Sequence, residues 1–277
     1  MSAFELDYLD LVNEVLEHGE CRESRVGDTR MMFGKTLHID CLREGRFPIL
    51  THRKMYYGAV LGELAAFLEG AIDLATFKKY GCNYWDANAA AWAPNEGLSP
   101  KDHKVGQIYG AQWRSWDYCG SAIDQLQNLV DGIADNPFSR RHLLTTYNPS
   151  DLDDMCLPPC HLLAQFSVGN DGTISCIVTM RSVDLVLGLP ADIMLYAALL
   201  LIICQETEYA PGDLIFMMGD THVYENHVAK WKDSSDKVYP LPAWDLSEDA
   251  GIDQFEPDML NLIDYRHGEK VTYVLNV

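Results

Sequence analysis

The chain has 277 residues, 48% of them hydrophobic, which is enough for a substantial core in one large domain or two small ones. Its formal net charge of −20, from 41 acids and 21 bases, disfavours non-specific binding to nucleic acid or to an anionic membrane. No N-terminal apolar segment reads as a signal peptide, so the expected location is cytoplasmic.

In chain order, MSAFELDYLDLVNEVLEH reads as an amphipathic helix with acidic flanks, ending near His18. The loop CRESRVGDTR follows, then MMFGKTLHIDCLREGRFPIL, a strand-like stretch with a turn. GAVLGELAAFLEG repeats apolar residues at helical spacing and stops at Gly70, a natural C-cap. IDQLQNLVDGIADNP predicts another helix, ended by Asn136-Pro137. HLLTTYN, HLLAQFSV and TISCIVTM are strand-like, and Gly-Asn-Asp-Gly between the last two signals a hairpin. The segment Asp184–Glu206 contains a run, Ile193 to Cys204, without a charged side chain. That run is too short to span a bilayer and predicts a buried helix. LIFMMGD is a further strand, and VTYVLNV closes the chain. Helices and strands mix without regular βαβ alternation and without an internal repeat. The expected fold class is α+β, with one central sheet.

The eight cysteines are irregularly spaced, several in apolar segments, and read as reduced thiols rather than a disulfide framework. Cys156, Cys160 and His161 raise the alternative of a metal site. Pro158 and Pro159 stiffen the loop between them, and no second Cys/His pair has zinc-ribbon spacing, so no metal is expected. A neighbouring Cys-His pair is by itself weak evidence for a nucleophile. The arginines add to it. Arg25, Arg140, Arg141 and Arg181 stand in loops or at strand ends of a very acidic chain, as a phosphate clamp requires. YGAQWRSW and GDTHVYENH place Tyr, Trp and His beside glycines, the composition of a stacking and hydroxyl-binding pocket.

YWDAN, YGAQWR, SRRHLL, LPPCH followed by QF, RSVDLVLGLP and GDTHVYENH occur in an order and spacing that resembles the thymidylate synthase superfamily, from about Arg25 to the C-terminus. The resemblance implies a single catalytic domain over 1–277: a central mixed sheet flanked by helices, with a sheet face forming a homodimer interface. It implies one-carbon transfer to C5 of a pyrimidine nucleotide, with 5,10-methylenetetrahydrofolate as co-substrate. A thiolate adding to C6 turns C5, a poor nucleophile, into a carbanion equivalent. By resemblance Cys160 is that nucleophile. Arg25, Arg181, and Arg140 with Arg141 reaching from a second subunit, neutralise the phosphate; such charge can also lower the thiol pKa. His222 and Tyr224 match sugar contacts, and Gln165 and Ser182 match other nucleotide contacts. Glu63 matches a glutamate that manages protons through ordered water, and Tyr109 a tyrosine implicated in proton removal at C5. Trp85, Asp184 and Gly188 match the folate side, and Arg53 the folate's glutamate tail. A non-catalytic homologue binding nucleotide or RNA is the contrary reading; Cys160, Glu63 and the arginines argue against it.

One departure stands out. Members of the superfamily typically read RSxDxxLGxPFN; this chain reads RSVDLVLGLPAD, so Asp192 replaces an asparagine and Ala191 a phenylalanine. An asparagine amide donates to uracil O4 and accepts from N3–H, whereas cytosine presents an amino donor and an N3 acceptor. A buried carboxyl with a raised pKa can accept from that amino group and share a proton with N3. Asp192 could instead, or also, cap the helix that follows it. Aspartate here resembles the phage-type deoxycytidylate (dCMP) hydroxymethylases, in which water captures the exocyclic methylene to give 5-hydroxymethyl-dCMP and tetrahydrofolate. In synthases a hydride from the folate gives a methyl group instead. The tail LNV differs from the usual synthase tail that excludes water, which favours hydration, whereas Trp85 is kept as in synthases.

Overall fold

The computed structural model describes residues 3–93, 97, 103–233 and 236–276. Helix α1 (Ala3–His18) leads into strands β1 (Glu20–Arg22) and β2 (Thr29–Ile39). The turn expected after β2 forms at Cys41–Glu44, closed by Gly45 in a left-handed conformation (φ 69°). Helix α2 (Tyr57–Leu68) ends at Gly70, whose φ of 74° allows the Gly70 and Ala71 N–H groups to reach Phe67 O and Ala66 O. Then come α3 (Leu74–Lys79), α4 (Asp86–Trp92), α5 (Tyr109–Arg114) and the small hairpin β3 (Trp116–Tyr118) and β4 (Ser121–Ile123). Helix α6 (Gln125–Asp135) starts where the Asp124 carboxylate accepts from Gln127 N, a cap that contributes about 1 kcal/mol. The remaining elements are β5 (Leu143–Thr145), β6 (His161–Val168), β7 (Thr173–Asp184), α7 (Gly188–Glu206), β8 (Ala210–Tyr224), α8 (Glu225–Lys232) and the pair β9 (Ala243–Leu246) and β10 (Leu260–Ile263).

The architecture is α+β, as expected. Six strands form one mixed sheet in the order β1-β2-β8-β7-β6-β5. β7 and β8 are parallel; every other neighbouring pair is antiparallel. The parallel pair needs a crossover, and α7 supplies it, so one βαβ unit sits inside an otherwise antiparallel sheet.

The inner sheet face carries Leu37, Ile39, Ala164, Phe166, Ile174, Cys176, Val178, Leu214 and Phe216, all buried. α1 and α7 pack on it, and α2 packs on α7. α7 is apolar on every side, and each residue from Ile193 to Cys204 is buried. Its length and mean hydropathy of 1.8 would suit a membrane, but 78% of its apolar window lies inside the fold. Such a helix is a core element, each buried Leu or Ile contributing roughly 1.5–3 kcal/mol. The outer sheet face is different: Phe33 on β2 is 79% exposed and Met217 on β8 is 48% exposed. The closing segment VTYVLNV forms no strand over its described residues. It is tied down by His227 Nε2 on Val274 O (2.8 Å) and Lys230 Nζ on Thr272 O (2.6 Å), and Val277 lies outside the described residues.

Candidate active site

Cys160 stands immediately before β6, at the end of the Pro158-Pro159 loop. Arg181 on β7 holds that loop. Its Nε donates to Pro159 O and its Nη2 to Pro158 O, both at 2.7 Å, and the same Nη2 lies 4.0 Å from Cys160 Sγ. From the other side, Cys160 N–H donates to the Tyr109 hydroxyl at 2.7 Å. The sulfur is thus fixed by its own backbone and faces a guanidinium. Burial raises the thiol pKa, Arg181 pulls it down, and Asp192 pushes it up again; the balance lies above the ordinary value. Arg181 lowers the thiol pKa, as expected of the arginines, and in the free protein burial outweighs that effect.

Tyr109 is buried, and its ring stacks on His161 with centroids 4.0 Å apart. Gly110 makes this placement possible, since a Cβ there would stand 2.4 Å from backbone atoms of Phe67 in α2. His161 is neutral, burial pushing its pKa down to about 3. Its Nδ1 meets the Tyr196 hydroxyl at 2.6 Å, and its Nε2 faces Asp192 Oδ1 at 3.8 Å.

Asp192 does not cap α7. The N-cap is Leu187, without a side-chain hydrogen bond, and Asp192 lies one turn inside the helix. The capping role is thereby overturned, and the carboxyl points at the cysteine cluster, with 19% side-chain exposure. Burial first, then the charges of Glu63 and Asp184, holds it well above the usual carboxylate range.

Glu63 on α2 accepts from Trp85 Nε1 at 2.8 Å. Burial pushes its pKa up to about 7, partly offset by that indole N–H. The folded-state value lies above the ordinary 4.5, so the folded protein holds the extra proton between them. Stability is therefore lost as pH rises from about 4.5 through about 7. Glu63→Gln, which can still accept from Trp85, is expected to exceed the parent in stability by up to about 3 kcal/mol at pH 8. The two proteins converge below about pH 4.5, and urea unfolding at both pH values checks this.

A family model for thymidylate synthase matches residues 6–277. The chain belongs to the thymidylate synthase family. Members bind a pyrimidine nucleotide and use methylenetetrahydrofolate as co-substrate, so the protein is a folate-dependent pyrimidine C5 one-carbon transferase.

Several of the other family positions gather at the same end of the sheet. The parallel register sets Ser182 beside Asp220 and Asp184 beside His222. His222 Nδ1 lies 2.8 Å from Asp220 Oδ1, and its ring is edge-on to Tyr224 with centroids 5.0 Å apart. Cys160, Asp184 and Arg25 all lie within electrostatic reach of the Tyr224 hydroxyl, which ties the exposed Arg25 loop to the cysteine. Trp85 stands 5.9 Å, ring to ring, from Tyr109. Gly188 opens α7 beside Asp184: a Cβ there would meet Asp184 Cβ at 3.6 Å. Trp85, Asp184 and Gly188, the residues expected on the folate side, thus border the cysteine cluster.

Four positions are not drawn into this cluster. Arg140 and Arg141 are exposed between α6 and β5, and no side-chain bond from either to the cysteine cluster occurs among the described residues. Gln165 is exposed on β6, on the face opposite Ala164 and Phe166, and does not join Cys160 within this chain. Arg53 is 3% exposed; it donates to Val186 O and stacks on the Tyr273 ring at 5.2 Å. It clasps the β7–α7 loop to the C-terminal segment. Among the described residues no three His, Cys, Asp or Glu side chains group as metal ligands.

Tyr196 belongs to the arrangement although no motif singled it out, and Asp220 entered only as part of GDTHVYENH, without a role. A signal existed for Tyr196, which lies four residues after Asp192 and so on the same helix face.

Proposed function

We propose that the protein converts dCMP to 5-hydroxymethyl-dCMP, with release of tetrahydrofolate. The observation that carries this reading is the Asp192 carboxyl, half-buried beside His161 at 3.8 Å, where desolvation and nearby carboxylates hold its pKa well above the usual range. A neutral carboxyl offers one acceptor and one donor, which match the amino group and N3 of cytosine. Methylenetetrahydrofolate supplies the one-carbon unit. Cys160 adds to C6, Arg181 and Arg25 hold the phosphate, and Glu63 with Tyr109 moves protons near C5. Water then captures the exocyclic methylene on the pyrimidine.

In this reading residues 1–277 act as one catalytic domain in the cytoplasm, and two copies pair through the outer sheet face. The exposed Phe33 and Met217 support that pairing, as does the outward position of Arg140 and Arg141, available to complete a partner's phosphate site. The second reading is methylation of dCMP or dUMP with the folate as hydride donor, favoured by Trp85 on Glu63 as in synthases. Mass spectrometry of the product from dCMP and methylenetetrahydrofolate decides. A hydroxymethyl product with tetrahydrofolate is expected; a methyl product with dihydrofolate rejects the water-capture step.

A further inference from the structure

Tyr196 is 1% exposed and held edge-on by three rings: His161 at 5.1 Å, Trp113 at 6.2 Å and Phe216 at 6.2 Å. Among the described residues its hydroxyl has one hydrogen-bond partner, His161 Nδ1 at 2.6 Å. The opposite ring nitrogen, Nε2, faces Asp192 Oδ1 at 3.8 Å. Burial keeps the imidazole neutral and the phenol protonated. The ring thus carries one proton for two nitrogens, and its location follows from what the tyrosine can do. If Nδ1–H donated to the phenol oxygen, the phenol's own buried proton would have no acceptor. If the phenol donates to Nδ1, the phenol proton is placed, and the ring's own proton, on Nε2, faces Asp192 Oδ1 at 3.8 Å, an electrostatic contact beyond hydrogen-bond range. A buried donor without an acceptor is the costlier fault.

We propose that Tyr196 is a positioning residue for substrate choice: its hydroxyl fixes His161 as the Nε2–H tautomer, and that N–H confines the acid proton of Asp192 to the oxygen facing away from His161. The inference rests on the base-reading role given to Asp192 above. It goes further because a neutral carboxyl is ambiguous. With the proton on one oxygen its acceptor and donor fit cytosine; with the proton on the other, the same group donates to uracil O4 and accepts from N3–H. An N–H facing Oδ1 keeps that oxygen an acceptor and removes one of the two readings. An asparagine makes the same choice by which way its amide is turned, and an acid makes it by which oxygen holds the proton, so the group facing that oxygen becomes part of the selectivity.

Two measurements test this. Nitrogen-15 NMR on the unmutated, ligand-free protein reads the His161 tautomer, and the proton is expected on Nε2; a proton on Nδ1 overturns the proposal. Tyr196→Phe keeps the ring and its packing while removing the hydroxyl. Its ratio of kcat/KM for dCMP over dUMP, read by tritium release from C5, is expected to fall about ten-fold, the scale of one lost hydrogen bond. If Asp192→Asn moves that ratio and Tyr196→Phe does not, the positioning claim fails and the role of Asp192 stands. If neither variant moves it, the base reading fails and the positioning claim falls with it.

Discussion

Cys160→Ala is expected to abolish turnover while nucleotide binding survives. The loss should reach at least about 10⁴-fold, the scale on which removal of a covalent nucleophile acts. Binding survives because the contacts that shape the loop belong to its backbone. Tyr109 accepts from Cys160 N–H, and Arg181 donates to Pro158 O and Pro159 O, none of which alanine disturbs. Tritium release from C5 of dCMP measures turnover, and calorimetric titration with dCMP measures binding; turnover at the parental rate would remove the covalent mechanism. The raised thiol pKa adds a second readout. Alkylation of Cys160 in the free protein is expected to be slow at neutral pH and to climb above its ordinary 9.0. The Arg181 guanidinium 4.0 Å from the sulfur is the fixed charge that stabilises the thiolate once formed.

Asp192→Asn is expected to reverse the pyrimidine preference toward dUMP. An amide turned to read uracil, with its NH2 toward O4 and its oxygen toward N3–H, leaves cytosine's amino group and N3 both mispaired. Each mispaired group costs about 1–3 kcal/mol in a dry site, so kcat/KM for dCMP relative to dUMP should change by about 10² or more. The pH dependence should change too. The carboxyl is needed in its protonated form, so dCMP turnover in the parent declines as pH rises through its elevated pKa, and the asparagine variant lacks that limb. Steady-state kinetics with both nucleotides across pH check this. An unaltered dCMP/dUMP ratio would sink the base-reading role and leave Asp192 as a half-buried acid without an assigned task.

Local chemistry made much of the fold legible. Helix α1, the Gly70 stop after α2, the start and stop of α6, and the hairpin between β6 and β7 depend on residues within a few positions of one another. The apolar run of α7 declared itself by composition. The linear pattern did not disclose that α7 is the crossover of a parallel pair, because the pairing of β7 with β8 joins segments separated by the whole helix. Nor did it show how far β8 extends, to Tyr224, carrying His222 to Asp184.

The site divides in the same way. By itself the sequence determined the family, the cysteine loop, the arginines and the exchange of an amide for an acid at position 192, because these are residue identities at set spacings. Tertiary structure decided what those residues face. It moved Asp192 from a cap to the inside of α7, buried Arg53 against Tyr273, turned Gln165 to the outer sheet face and put Tyr196 behind His161. Proton affinity follows from burial and from charges brought close by folding, so the raised values of Glu63, Cys160 and Asp192 are properties of the packed chain and not of their order along it.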